Sequence, residues 1–419
     1  MPAIADPSDS TDDSASLLTR RPYALFLTGR FLGTLATGSQ SIVIAWEVYE
    51  VARGTMSVAE AAFAVGMIGL AQFLPLFALT LLAGETVDRH DRRRILVLCY
   101  LTQVLTSAGL AARSSLGSGL WPIVALAALF GSSRAFSQPA ASALGPMLVP
   151  LRLLPRAIAT NSLAAQLASI LGPALGGLLC AVSPVLGYAV SAGLYAAAAV
   201  CALLIRADTR PTLGPARSRA AQIREGLEYL WGNKLVLGAI SLDLFAVLLG
   251  GATGLLPVFA RDVLGVGALG FGVLRAAPAV GALLVAGYLA HRPIRTLVGM
   301  KMLLAVGLFG LMTLVFAYSR WVPLSVFALA VLGGADMVSV FTRQSLVQIA
   351  TPDGMRGRVS AVSTLFIGAS NELGEFESGV VARLLGPVGS VAFGGAGAMA
   401  VTAVWAWLFP PLRTADRLA

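Results

Sequence analysis

Apolar residues in this chain come in blocks of about 20 to 25, each long enough to cross a bilayer as a helix. Twelve blocks can be read, at 23–50, 58–83, 95–113, 120–146, 158–182, 186–206, 235–259, 268–291, 298–318, 322–345, 359–385 and 390–411. Backbone polar groups inside lipid must be satisfied within their own segment, so the blocks predict helices and an all-α polytopic membrane protein. The longest internal polar segment, Arg206 to Lys234, parts the blocks six and six. Pro211 and Gly214 mark it as a linker. Ile223, Leu227, Leu230 and Trp231 then recur at helical spacing, with Arg224, Glu225 and Glu228 between them, as in an amphipathic helix lying on the membrane surface. The expected organisation is a disordered tail at 1–22, a six-helix bundle at 23–206, the linker with its surface helix at 207–234, a second bundle at 235–411 and a short tail at 412–419.

The two halves repeat each other at an offset of about 202 residues, which predicts two pseudo-symmetric bundles with a site between them. Gly69, Pro75 and Gly84 return as Gly272, Pro278 and Gly287; Gly131, Ser137, Pro150 and Arg156 return as Gly333, Ser339, Pro352 and Arg358. Leu171, Gly172 and Gly177 return as Leu373, Gly374 and Gly379. Glycines, prolines and arginines matching in register across four helices are not a chance alignment.

Composition agrees: 57% of the 419 residues are hydrophobic and 12% charged, far from a soluble domain. The net charge of +9 raises the question of a nucleic-acid partner. The basic residues lie mostly between apolar blocks, however, where they act as topology signals. Only Arg53, Arg113, Arg261, Arg320 and Arg383 fall on the side away from the termini, so both termini and the linker are expected in the cytoplasm. Met1 to Arg21 is polar, without the apolar core of a signal peptide. Cys99, Cys180 and Cys201 sit inside apolar blocks as packing residues. No metal-ligand spacing, phosphate-binding glycine loop or nucleophile–base pair is present, so neither a cofactor nor enzymatic catalysis is expected.

Charges within the blocks carry the chemistry, because each costs about 2.5–3.5 kcal/mol at mid-membrane and so marks a partner or a wet cavity. They are Arg30, Glu47, Arg134, Asp243, Arg275, Asp336, Arg343, Glu372, Glu375 and Glu377. Arg134 and Asp336 hold the same repeat position, which predicts either a charge pair across the cavity or two residues each satisfied by separate neighbours. The fifth block reads Gly172-Pro173-Ala174-Leu175-Gly176-Gly177, a proline kink flanked by glycines; its sister in the eleventh reads Gly374-Glu375-Phe376-Glu377-Ser378-Gly379. Glu372 and Glu375 share a helix face, whereas Glu377 points largely away. Glu377 and Arg275 lie at similar depth and are expected to form a structural pair. Glu372 and Glu375 are left for the cavity. Two close carboxylates in a low dielectric do not both ionise cheaply, so one holds a proton near neutral pH. Glu375 is the expected proton carrier, Glu372 its partner and Asp243 the alternative. Glu47 and Asp243, single acids in the first helix of each half, are expected to bind a cationic substrate, carry a proton, or pair with Arg30 or a backbone group; Glu47 and Arg30 are the substrate-binding candidates.

The segment Gly84-Glu85-Thr86-Val87-Asp88-Arg89-His90-Asp91-Arg92-Arg93-Arg94 joins the second and third blocks. Gly84 permits close approach of helix ends, Asp88 caps a helix or pairs with an arginine, and Arg89, Arg92 and Arg93 hold the loop at the headgroups. Its spacing, G-x-x-x-D-R-x-x-R-R, resembles the gating loop of the major facilitator superfamily. In the second half His291 stands where the aspartate would be, so the first loop is expected to carry the gating role alone. The fifth-block motif resembles one found in that superfamily's exporters. Trp46-Glu47-Val48-Tyr49, Gly69 to Pro75, Ser241 to Ala246 and Ser370 to Glu377 resemble the bacterial enterobactin-exporter-like branch, which also holds macrolide and multidrug efflux proteins and a lysophospholipid transporter. The resemblance implies a monomeric, proton-coupled exporter of a drug or siderophore in the bacterial inner membrane. A lipid flippase of the same fold and a non-transporting receptor are the alternatives.

Overall fold

A computed structural model describes residues 17–416 except 118, 208, 210–218, 251, 293 and 295. Residues 1–16 and the linker residues Pro211 and Gly214 lie outside the described residues. A short 3-10 turn at Leu17–Thr19 precedes the first helix.

The first half is six helices: α1 (Arg21–Arg53), α2 (Val58–Arg89), α3 (Arg92–Leu116), α4 (Leu120–Leu144), α5 (Leu154–Val182) and α6 (Pro184–Leu204). A surface helix, α7 (Arg219–Gly232), occupies the linker. The second half follows with α8 (Lys234–Leu249), the short α9 (Leu256–Val258), α10 (Gly267–His291), α11 (Val298–Tyr318), α12 (Val322–Ala350), α13 (Asp353–Leu408) and α14 (Pro410–Arg413). By length and hydropathy, 10 of the described helices could cross a membrane. Among them α13 makes two passes, because Gly386 takes φ 75°, a left-handed turn that glycine tolerates, immediately before Pro387. α1, 33 residues long but more polar, adds a further pass, so the described residues are consistent with twelve membrane helices in two bundles.

Packing repeats as the sequence does. In the first half α1 lies on α5 and α6, α2 on α4, and α3 on α4 and α6; in the second α8 lies on α13, α10 on α12, and α11 on α12 and α13. The halves meet along α2 with α13 and α5 with α10. Small residues permit these crossings. A Cβ on Gly131 would collide with the Gln72 carbonyl, and one on its repeat mate Gly333 would collide with that of Pro278.

The seventh span departs from the continuous helix expected. After Leu249 the chain unwinds, re-forms as a 3-10 turn at Ala252–Leu255, and passes through α9 into a π turn at Phe259–Val263. On the surface, Glu225 of α7 pairs with Arg358 at 2.8 Å and Tyr229 donates to the Ala350 carbonyl at 2.8 Å. Leu230 is buried, but Trp231 is 67% exposed and turns away from the packed face.

Candidate substrate and coupling site

A cavity of about 320 Å³ lies at mid-depth between the halves, against α5, α8, α10, α12 and the first arm of α13. The unwound stretch after α8 gives it polar backbone: Gly250 and Thr253 line it, and the Thr253 carbonyl accepts a hydrogen bond from Arg275 at 3.2 Å. Irregular backbone at this depth is tolerated where it lines a cavity. Gly254 allows the close approach, since a Cβ there would meet Glu375 at 3.2 Å. The sequence signal for the break, Gly250-Gly251 followed by Thr253-Gly254 and Pro257, was present but lay inside an otherwise apolar run.

Glu375, Arg275 and Asp336 all line this cavity. Glu372, three residues before Glu375, reaches the other half instead: Arg134 of α4 holds it at 2.9 Å, with Gln72 3.4 Å from the same guanidinium nitrogen. The expected Arg134–Asp336 pair is therefore not made. Equivalent repeat positions put the two at equal depth, but Glu372 is the acid within reach of Arg134. Asp336 stays inside its own half, where it shares a narrow pocket with Asp243 and Ser339, and Asp243 pairs with Arg343 at 3.2 Å.

Two further pairings differ from expectation. Arg275 turns to the Thr253 carbonyl and into the cavity with Glu375, not to Glu377. Glu377, half-buried, has only a 3.5 Å contact from the Ser378 hydroxyl and no ion pair among the described residues. Matching distance from a helix end fixes depth but not azimuth, and Glu377 lies on another face. Glu47 is not in a cavity either. Arg113 binds it at 2.8 Å and the Tyr188 hydroxyl donates to it at 2.6 Å, all three buried. Arg113, read as lying in an outer loop or helix end, is buried and pairs with it, and Arg30 has no ion pair among the described residues.

On the face that carries the termini, α3 is capped by Asp91, not Asp88. Its carboxylate accepts from the Arg93 amide at 3.0 Å and from the Thr209 hydroxyl at 2.6 Å. Burial alone would push its titration up; the bonds from Thr209 and the Arg94 and Arg93 amides outweigh it and hold Asp91 below the usual carboxylate range. Asp88 and Arg89, in the last turn of α2, are exposed. Arg93 clamps the end of α6 through the Ala202 and Leu203 carbonyls at 3.1 and 2.5 Å, where a helix C-terminus favours a cation. Arg92 reaches the Met147 sulfur at 2.5 Å, and Gly84 is buried.

The opposite face is drawn shut. Arg53 pairs with Asp262 at 2.9 Å, Arg261 with Glu50 at 2.9 Å, and Tyr49 donates to Asp262, so α1 and the π turn are latched in both charge senses. Below them the Trp46 and Phe271 rings stack at 4.9 Å. Glycines finish the seal: a Cβ on Gly177 would stand 2.7 Å from Gly272, and one on Gly379 would stand 2.9 Å from Gly66. Gly172 and Gly176 seat α5 on α1, where added Cβ atoms would run into the Leu35 and Ser39 carbonyls, and Pro173 touches Gly38 there. The latch residues escaped the sequence reading because ions near helix ends read as ordinary loop charges.

Two six-helix bundles around a mid-depth polar cavity define a membrane transporter by architecture. The family profile of the Major Facilitator Superfamily matches residues 25–375, and the chain belongs to that family, whose members move small molecules across membranes. It is 28% identical over 399 residues to the enterobactin exporter EntS of Escherichia coli O81 (strain ED1a), covering 92% of this chain and 91% of that protein, and equally similar to EntS of Shigella boydii serotype 18. Solved structures share the fold at low identity. A point mutant of the nucleoside transporter NupG superposes with TM-score 0.67 at 13% identity over 93% of this chain and 99% of that one. A bacterial homologue of the human lysosomal transporter Spinster, inward-facing and unoccupied, gives 0.67 at 12% over 94% and 96%.

Proposed function

We propose that this protein is a proton-coupled exporter of a small amphipathic molecule, a drug or a siderophore, working by alternating access in the bacterial inner membrane. The observation that carries the reading is the cavity between the halves, in which Glu375 and Arg275 face the same space. Its volume falls in the range of small-molecule sites. Glu375 makes no ion pair among the described residues, whereas Glu372 beside it is committed to Arg134. A carboxylate placed in this way loads and releases a proton as the surrounding charges are rearranged. With the termini and basic loop in the cytoplasm, the latched face is the outer one and opens when Arg53–Asp262 and Arg261–Glu50 part. Export is favoured by the exporter relatives and by the glycine–proline motif of α5. The protein acts as a monomer with no catalytic role.

The test is proton flux in sealed vesicles carrying the purified protein, challenged with dyes, macrolides and siderophores. Substrate-dependent flux is expected. Flux with none of them, alongside movement of a labelled lysophospholipid, would replace this reading with a lipid flippase; no movement of any probe would leave a receptor.

A further inference from the structure

A second pocket opens within the first half, between α1, α3 and α4. It measures about 60 Å³, and Arg30, Thr34, Thr37, Arg134, Ser137 and Gln138 are among the residues around it. That is room for one small polar group and not for a whole ligand. Among the described residues no carboxylate lines it, while two guanidiniums do. Arg30 has no ion pair among the described residues, and the Nε atoms of both Arg30 and Arg134 are buried without a hydrogen-bond partner there. Gly33 lets the Tyr100 ring form part of the pocket wall, since a Cβ there would stand 2.6 Å from it.

Two cations facing one confined space repel, and the arrangement is relieved by an anion that accepts from both. Arg134 already shows the attraction: it leaves this pocket on one side to hold Glu372 at 2.9 Å, so the ion pair stands at the wall between the small pocket and the helix whose Glu375 lines the large one. Resting on the reading of the large cavity as a substrate site, we propose that the small pocket receives a carboxylate or phosphate group of the substrate, bound by Arg30 and Arg134 in competition with Glu372. The apolar remainder of the molecule extends into the large cavity. The transported class is thus organic anions, whether free in solution or lipid headgroups.

The experiment uses the full chain in lipid nanodiscs with three probes: carboxyfluorescein, the cationic xanthene rhodamine 6G, and a fluorescent lysophosphatidate. Binding is read by anisotropy. Wild-type protein binds at least one anionic probe more tightly than rhodamine 6G. Arg30→Gln weakens that binding at least about tenfold, Arg30→Lys restores part of it, and Glu372→Gln tightens it because the internal competitor is gone. Thermal unfolding of each variant checks that the fold survives. Carboxyfluorescein binding supports a soluble anion, and lysophosphatidate binding alone supports a lipid headgroup. Equal anion affinity in Arg30→Gln and wild type, or no anion binding to wild type, overturns the subsite. A protein that moves rhodamine 6G in vesicles but fails these tests keeps the transport reading and loses the subsite; one that binds the anion and moves nothing does the reverse.

Discussion

The sister helices α5 and the first arm of α13 share a framework of glycines but carry different chemistry. Gly172 seats α5 on α1, and its mate Gly374 seats α13 on α8, where a Cβ would lie 2.9 Å from the Val247 carbonyl. Gly177 and Gly379 each make the contact that joins half to half. Between those matched anchors α5 has Pro173, packed against Gly38, while α13 has Glu375 in the cavity. Packing positions were therefore retained in both copies. The position between them differs, a proline in one copy and a carboxylate in the other, and both side chains line the central cavity. The same division holds for the arginines: in each half one closes on a buried acid of its own bundle, Arg113 on Glu47 and Arg343 on Asp243.

Those two sealed pairs are where the comparison breaks hardest. Arg113→Ala and Arg343→Ala each strand a buried carboxylate and should lower unfolding stability by about 3–5 kcal/mol. Replacing both Glu47 and Arg113 by leucine should recover most of that loss, as thermal unfolding in detergent would show. A double variant as unstable as the single one would mean that Glu47 does more than balance Arg113.

Glu375→Gln against Glu377→Gln separates chemistry from framework on a single helix. The first should reduce proton-driven transport by more than about fivefold, flatten its pH dependence and leave the melting temperature near wild type. The second should leave coupling intact. Transport by Glu375→Gln with an unchanged pH profile would pass the role of carrier to Asp243.

Next come the matched glycines. Gly177→Ala and Gly379→Ala should each cost about 1–3 kcal/mol, because the added methyl meets backbone that cannot yield. Gly193→Ala, in α6 with nothing near its Cβ, should cost nothing measurable. If the two sister substitutions differ greatly in melting temperature, the framework is less symmetric than its contacts imply.

The smallest effect belongs to the basic loop. Asp91→Ala removes the α3 cap and should destabilise by about 1 kcal/mol. The Asp91 carboxyl is held below its unfolded value, so its contribution is present above the ordinary aspartate range and lost as pH falls through the lowered one. Melting curves of wild type and variant should accordingly converge in acid. Asp88→Asn, by contrast, should impair cycling without altering the melt.

Twelve passes, two halves and the repeat between them were determined by the sequence alone. Bilayer thickness sets block length, and an internal duplication leaves glycines, prolines and arginines in register. Helical spacing also put Glu372 and Glu375 on one face, but Glu375 lines the cavity while Glu372 turns to Arg134. Which charge meets which partner was decided only in three dimensions. Arg134 reaches Glu372 and not Asp336, Arg113 turns inward to Glu47, Arg275 serves the broken span after α8, and Asp91 caps α3. Sequence position gives a residue its depth and its face on one helix. The rotation of that helix against its neighbours is set by the glycine contacts of all the others, and pairing depends on that rotation to within a few ångströms.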